Sequence, residues 1–442
     1  MVSVLITFSR ITILIFILLF TLIDIIQMFE AKIGEDIAGI LSTIQTIMVV
    51  CFLINGALIL YFVKESPEII ALTIFQLCLF IVIGISVRKL NPNASIGFLN
   101  NILMLLSISF IMLERLDISR ATRQFVFAFA SVGIAIIGMI ILKNIRHINR
   151  KLFAFAFIGI LLLVIVQFVG QVEYGAKLSI SIGSISIQPS EFVKISYLFF
   201  ISGCIVTYKD FRGFLFSTIG AGIHVLILVF SKDLGTAMIF LGAYVLLIFV
   251  AYKNYIVLTI EIVGALIGAI LAYNMFPHIQ TRFIAWSDPL SVIDDKGYQI
   301  SQSLFAIGSG GWFGSGLTNG QPNKIPVVSK DFIFAAVSEE LGAIVAICLI
   351  IIVMCTCVMI FNRAFMCTSS FYMLVISGIG IIFSVQSILN IGGVIKFIPS
   401  TGVTLPFISY GGSSLLSMFI CFYIAESSDE LIFLNKGRKS YD

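Results

Sequence analysis

Charge is scarce in this chain. Of its 442 residues only 11% are Asp, Glu, Lys or Arg, 59% are hydrophobic, and the mean hydropathy is +1.11. No soluble core buries such a fraction, so the composition excludes a soluble globular protein and a disordered one. The net charge of +4 sits in short turns, which speaks for membrane orientation and against nucleic acid as a partner. Histidine is rare, and His147, His224 and His278 are too scattered for a metal cluster. The eight cysteines (Cys51, Cys78, Cys204, Cys348, Cys355, Cys357 and Cys421 among them) lie mainly in apolar stretches. Without zinc-site or disulfide spacing they read as reduced packing residues. The apolar run over about 11–28 lacks a small-residue cleavage site and exceeds a signal-peptide core, so it reads as a retained span. There is no fixed-period repeat. Nor are there broken helices in matching places of two halves, the mark of an alternating-access transporter.

What remains is an all-α polytopic membrane protein. A spanning helix needs about 20 apolar residues. That rule predicts segments at 5–28, 38–63, 68–87, 96–113, 122–142, 151–170, 190–207, 213–230, 234–251, 256–275, 331–360, 370–394 and 404–425, the twelfth interrupted at Gly392-Gly393. Lys143, Arg146, Arg150 and Lys151 form the most basic turn. Lys209, Arg212, Lys253, Arg363 and the tail residues Lys436, Arg438 and Lys439 share its side if spans alternate, and basic turns face the cytoplasm. The long polar loop at about 276–330 and the turn at 171–189 are then extracellular. One turn conflicts with the rule: Glu114 to Arg123 carries three Arg yet falls outside.

The polar residues cluster. Gln188-Pro189-Ser190-Glu191 starts a helix, with Pro at the first position and Glu near the positive dipole end. That is a helix start and no more on one reading; on the other, Lys194, one turn deeper, is a membrane-embedded ion-pair partner for Glu191. Lys232 and Asp233 open another helix, where Asp233 either caps backbone N–H groups or, with Lys232, meets a polar substrate group. Asp331 is placed as an N-terminal acid. Glu339 and Glu340 follow roughly 12 Å further along the helix at about 1.5 Å per residue, with at most one facing a cavity and Lys396 or Arg282 as compensating charge. From Lys396 through Ser409 to Ser414, two Pro and a run of Gly and Ser imply irregular backbone, which is either close packing or a cavity wall. In the loop, Asp288 between Trp286 and Pro289 is either an Asx-type turn or a general base beside an aromatic platform that stacks on sugar rings. The glycines at 308–316 lack the preceding strand and following Gly-Lys-Ser/Thr of a phosphate loop.

These motifs, in order, resemble the SEDS family of FtsW, RodA and SpoVE proteins: Gln188-Pro-Ser-Glu-Phe-Val-Lys194, Asp233-Leu-Gly-Thr236, Trp286-Ser-Asp-Pro289, Gly297-Tyr-Gln with Gln302-Ser-Leu, Ala306-Ile-Gly-Ser-Gly-Gly311, Asp331-Phe-Ile-Phe, Glu339-Glu-Leu-Gly342 and Leu405-Pro-Phe-Ile-Ser-Tyr-Gly-Gly-Ser-Ser414. Gly175-Ala176, Gln386 and Asn390 also look like the family. The resemblance covers about 96–442 and implies a bundle of about ten spans, so residues 1–95 look like about three added spans. It implies a bacterial cytoplasmic-membrane glycosyltransferase that polymerises lipid II, the undecaprenyl-diphosphate-linked disaccharide-pentapeptide, in division, elongation or sporulation. It also implies a class B penicillin-binding protein as partner, among other divisome or elongasome proteins, and Asp288 as the catalytic residue. Glu191, Lys194, Lys232, Asp233, Arg282, Trp286, Gln302, Asp331, Glu339, Lys396, Ser409 and Ser413 are the expected substrate-binding set. No organic cofactor is expected, and Mg²⁺ or Mn²⁺ is a candidate alongside Arg282, Lys324, Lys330 and Lys396 for stabilising the diphosphate. The loop glycines then supply freedom to an active-site cover. Lys330 and Lys396 depart from the small residues usual there. A lipid II flippase, or a scaffold for the transpeptidase, is the alternative from another class.

Overall fold

The computed structural model describes residues 2–29, 34–145, 148–173, 176–183, 185–208 and 210–437. Gly175, Arg146, His147, Lys209, Arg438 and Lys439 lie outside the described residues. The helices are α1 (Val2–Gln27), α2 (Glu35–Lys64), α3 (Pro67–Leu90), α4 (Ile96–Leu116), α5 (Ile118–Asn144), α6 (Leu152–Val169), α7 (Pro189–Thr207), α8 (Phe211–Phe230), α9 (Leu234–Tyr252), α10 (Tyr255–Met275), α11 (Pro277–Ser287), α12 (Tyr298–Gly310), α13 (Ile333–Leu341), α14 (Ala343–Met366), α15 (Ser370–Val394) and α16 (Gly412–Gly437). By length and composition α1–α10, α14 and α15 are twelve helices able to cross a membrane, and α16 carries a shorter apolar stretch, Gly412–Ser427. The chain is a multi-pass membrane protein. On α10, 21 residues long, no residue is buried, and Ile256, Leu266 and Ile270 are all more than half exposed. In water such a helix would be untenable; against lipid it is satisfied.

Two compact units divide the described chain: 1–129, 284–359 and 387–411 form one, and 130–283, 360–386 and 412–442 the other. In the first, α4 is the hub. All its residues from Gly97 to Glu114 are buried, and α1, α2, α3 and α13 pack on it. In the second, α7 is central, touching α6, α8, α9 and α16.

Several expectations need correction. The segment 331–360 is two helices, α13 and α14, broken at Gly342. Gly342 has φ +96°, and a Cβ there would lie 2.3 Å from the Gly314 backbone nitrogen. Only glycine fits such a position. Segment 404–425 is helical only from Gly412, because the preceding residues are irregular. Conversely, Gly392-Gly393 interrupts nothing, since α15 runs unbroken over Ser370–Val394. The loop at 276–330 is largely built, from α11, α12 and a short 3-10 turn at Pro322–Lys324. The turn at 171–189 holds a three-stranded antiparallel sheet: β1 (Gln171–Glu173), β2 (Ala176–Ile182) and β3 (Ile185–Ile187). Its signal is the strict alternation in Lys-Leu-Ser-Ile-Ser-Ile over 177–182, the period of a strand.

Candidate active site

In the first unit the chemistry gathers around the end of α11. Helices stop before proline because the preceding residue is pushed out of the α region, and Asp288 precedes Pro289. Its carboxylate is exposed, with Oδ1 accepting from the Ser291 N–H at 3.3 Å, while Ser291 Oγ donates to the Asp288 carbonyl at 3.0 Å. This is an Asx-type turn that holds the carboxyl while leaving it open to solvent. The turn is fixed from both sides. Ser301 on α12 donates to the Pro289 carbonyl at 3.1 Å, and a Cβ at Gly297 would lie 2.1 Å from that same oxygen. Trp286 is half-buried, and its Nε1 donates to the Lys396 carbonyl at 3.1 Å; Ser303 donates to the Val394 carbonyl at 2.9 Å. Lys396 itself has φ +61°. Trp286, Asp288 and Lys396 therefore share one framework with α12.

The second feature of this unit is a cavity of about 520 Å³ lined by Gln302, Ser309, Asn319, Gln321, Lys324 and Glu339, among others. Glu339 is nearly buried, and its Oε1 accepts from the Gln321 N–H at 2.7 Å. Glu340 does not look to Lys396 or Arg282 for compensation, as the sequence suggested. Its Oε1 meets Arg115 Nε at 2.9 Å, and Arg115 also donates to the carbonyls of Thr318 and Gly320 at 3.5 and 3.1 Å. Burial pushes the Glu340 carboxyl up from its ordinary value, and the Arg115 charge opposes that shift. The same contacts account for two of the three arginines in the arginine-rich turn, Arg123 being exposed. Arg115 is held by residues 318–340 and Arg120 by Ser329 at 2.8 Å and Asp117 at 3.3 Å, so these charges are structural groups beside the polar segment.

Of the glycines at 308–316, Gly310 and Gly314 are packed tightly, whereas nothing lies within 4 Å of a Cβ at Gly308 or Gly311. Cβ atoms at Gly310 and Gly314 would lie 2.2 and 2.3 Å from the Ser338 and Glu340 carbonyl oxygens. Backbone bonds from Ser315 to Glu339 (2.9 Å), Gly316 to Glu340 (3.0 Å) and Ala343 to Gly311 (2.9 Å) sew the two segments together. The N-cap of α13 is Phe332, and Asp331 stands just before it. The Asp331 carbonyl accepts from Asn390 Nδ2 at 3.0 Å, and the same nitrogen reaches the Val403 carbonyl at 2.6 Å. Ser409 Oγ donates to the Lys330 carbonyl and accepts from Leu405 N–H at 2.8 Å. Gln124 on α5 donates to the Ser409 carbonyl at 3.1 Å and accepts from Gly411 N–H at 3.3 Å. Irregular backbone is thus satisfied by protein, which favours the close-packing reading of 403–411.

In the second unit, Glu191 and Lys194 form the anticipated pair, Nζ to Oε2 at 2.6 Å, both almost fully buried. Lys194 also donates to Gln386 Oε1 and Ser417 to Glu191 Oε2, each at 2.9 Å. Asp233 caps α9 by accepting from the Thr236 N–H at 3.1 Å, and Ser190 Oγ lies 3.4 Å from its Oδ2. Burial pushes the Asp233 carboxyl up. Lys232 is exposed with φ +62°. Burial, then the charges of Arg282 and Lys232, push His278 down. Ser413 Oγ accepts from the Gln188 N–H at 3.0 Å, ahead of α7. The expected set therefore falls into two groups: Trp286, Asp288, Gln302, Asp331, Glu339, Lys396 and Ser409 in one unit, Glu191, Lys194, Lys232, Asp233, Arg282 and Ser413 in the other. Sequence reasoning missed Arg115 and Gln124. The signal for Gln124 is an uncharged polar residue inside a long apolar helix, where it needs a partner.

The model of the cell cycle protein family of FtsW, RodA and SpoVE matches residues 93–430. The chain is similar to the peptidoglycan glycosyltransferase RodA of Mycobacterium leprae, 31% identical over 77% of this chain and 79% of that protein. It is also similar to the stage V sporulation protein E of Bacillus subtilis, 34% identical over 68% of this chain and 84% of that one. Its fold is like that of a chain in a peptidoglycan synthase complex coordinating polymerization and crosslinking (TM-score 0.65, 21% identity, 76% of this chain and 98% of that chain). The rod shape determining protein RodA of Thermus thermophilus shares it with TM-score 0.57, 21% identity and 76% and 97% coverage. The chain belongs to the FtsW, RodA and SpoVE family of cell cycle proteins.

Proposed function

We propose that this protein is a peptidoglycan glycosyltransferase that polymerises lipid II into glycan strands. The observation that carries the reading is the family match over 93–430, with relatives named for that activity. At the residue level the reading rests on Asp288, an exposed carboxylate on a fixed turn.

The acceptor sugar hydroxyl attacks the anomeric carbon of the donor, and undecaprenyl diphosphate departs from the opposite face. This inverts an α-linked donor to a β-1,4 bond and needs one carboxylate to take the hydroxyl proton. Asp288 is that base. Trp286, held through its Nε1, offers an aromatic face beside it. Negative charge growing on the diphosphate calls for preorganised cations, and Arg282, Lys324, Lys330 and Lys396 are assigned to it. Among the described residues no three His, Cys, Asp or Glu are grouped to hold a metal ion. Mg²⁺ or Mn²⁺, proposed beside these cations, would be held mainly by the diphosphate oxygens and would need only one or two carboxylates from the protein. Gln302 and Glu339 of the cavity, and Lys232, are assigned to the polar parts of the substrate. Glu191, Lys194, Asp233, Asp331, Ser409 and Ser413 make contacts that support positioning roles: pairing, capping and closing irregular backbone.

The polar segment 276–330 faces the cell exterior and the C-terminus the cytoplasm, with Arg115 and Arg120 removed from the positive-inside count. Residues 1–95 are an added module on a family core at 96–442. A class B penicillin-binding protein is the proposed partner, supported by the likeness to a chain from a synthase complex. The function is tested by incubating the purified protein and its transpeptidase with labelled lipid II. Polymer is expected; its absence across partner and metal conditions returns the protein to the flippase or scaffold class.

A further inference from the structure

Helices α1, α2 and α3 lie before the stretch shared with the family, 93–430, yet their polar side chains meet the last turn of α4. A helix end leaves its last carbonyls without intrahelical partners. At α4 two of these, of Glu114 and Arg115, accept from Lys64 Nζ at 2.6 and 2.9 Å. Lys64 is the last residue of α2, and a cation at a helix C-terminus also suits the dipole. Glu114 is fully buried, and its Oε1 accepts from Nε2 of the fully buried Gln76 on α3 at 2.7 Å. The added helices thus clamp both the backbone and a side chain of this turn.

The clamped turn reaches the cavity through Arg115, whose guanidinium holds Glu340 and the carbonyls of Thr318 and Gly320. Gly320 lines the cavity and is wedged between two acids: a Cβ there would lie 2.7 Å from Glu340 Cγ and 3.0 Å from Glu339 Cδ. The next residue, Gln321, donates its N–H to Glu339 Oε1. The wall made by Asn319, Gly320, Gln321 and Glu339 is therefore placed by Arg115. Helix α1 meets the same segment independently. A Cβ at Gly316 would lie 2.8 Å from Ile6 Cγ2, and the Arg10 guanidinium stands over the Phe313 ring, 5.9 Å from its centroid. All these residues belong to the first unit.

Helix packing alone needs only apolar and small side chains. A Lys and a Gln committed to the one turn that carries Arg115 do more than pack. We propose that Lys64 and Gln76 are positioning residues for the glycosyl transfer: they fix the last turn of α4, so that Arg115 holds the 318–321 wall where it receives the polar part of lipid II. The added helices then serve the substrate site rather than a separate function. The identity of the substrate rests on the glycosyltransferase reading above; the placement of the wall does not.

The test uses the purified full-length protein with its transpeptidase partner and labelled lipid II. Lys64→Met should raise KM roughly three- to tenfold while kcat stays within about twofold, because the base is untouched. Gln76→Leu should act in the same direction, and Lys64→Arg, which keeps a cationic donor, should return KM toward the parent value. In an Arg115→Lys background, where the fork to Thr318 and Gly320 is lost, Lys64→Met should add much less than it does alone. Hydrogen exchange reads the wall without recourse to activity. The amides of Ser315, Gly316, Asn319 and Gln321 are all hydrogen-bonded, and in Lys64→Met they should exchange faster while those of α7–α9 do not. KM and exchange both at parent values overturn the proposal. So does a lower Tm with faster exchange throughout the chain and an unchanged KM, since the role is then structural only. Full additivity of Lys64→Met with Arg115→Lys overturns it as well. A parent that makes no polymer sinks the glycosyltransferase reading instead, and exchange at 315–321 then decides this one: local acceleration in Lys64→Met supports it, and parent-rate exchange overturns it.

Discussion

Asp288 illustrates how much one residue can carry in sequence and what its surroundings add. Its place before Pro289 predicted an Asx-type turn, and the turn is there, with the carboxylate still exposed. Turn and base are therefore compatible roles. What the sequence could not show was the framework of Ser301, Gly297 and the Trp286–Lys396 contact, because each joins positions far apart in the chain. Glu340 teaches the reverse lesson. Its need for a cation was legible from its depth, but the wrong cations were chosen, because Arg115 lies 225 positions away. Replacing Arg115 by Met leaves Glu340 buried without its charge, which should destabilise the protein by about 3–5 kcal/mol. The pH dependence follows. A carboxyl raised in the folded state contributes stability that is present below its unfolded pKa, about 4.3, and is lost as pH rises through the folded value. Burial already raises Glu340, and loss of Arg115 raises it further. The deficit of Arg115→Met should therefore shrink toward acid pH and grow toward neutrality in unfolding measurements. An equal deficit at every pH would contradict the pairing.

At the scale of elements, apolar length predicted most spans and failed where polar backbone intervenes. The break between α13 and α14 depends on Gly342 and on the crossing of 311–316, which no window of hydropathy registers. Gly314→Ala should lower Tm, since φ +78° disfavours any side chain and the added Cβ meets the Glu340 carbonyl. The strain alone is of order 1–3 kcal/mol, and an unchanged Tm would show that the crossing is loose. Asn390→Leu should also destabilise, because a half-buried and a buried carbonyl lose one shared donor. The expected loss is about 1–3 kcal/mol, read by thermal unfolding.

For the whole molecule, composition was decisive for class, and the ordered motifs for family, because both are properties of the chain before it folds. The gathering of expected site residues into two units, and the role of α4 as the hub beneath the added helices, depend on packing that sequence does not encode locally. Orientation is testable at this scale. In a background without native cysteines, Asp295→Cys should react with a membrane-impermeant maleimide in intact cells, and Lys151→Cys only after permeabilisation. The opposite pattern would invert the topology and remove the proposed site from the exterior.

The most direct test of the central claim compares the parent with Asp288→Asn, each purified with the transpeptidase partner and given labelled lipid II. Loss of a positioned general base costs roughly a hundredfold or more. The parent should produce glycan polymer and the variant, folded to the same Tm, should produce almost none; polymerisation by Asp288→Asn at the parent rate would contradict the account.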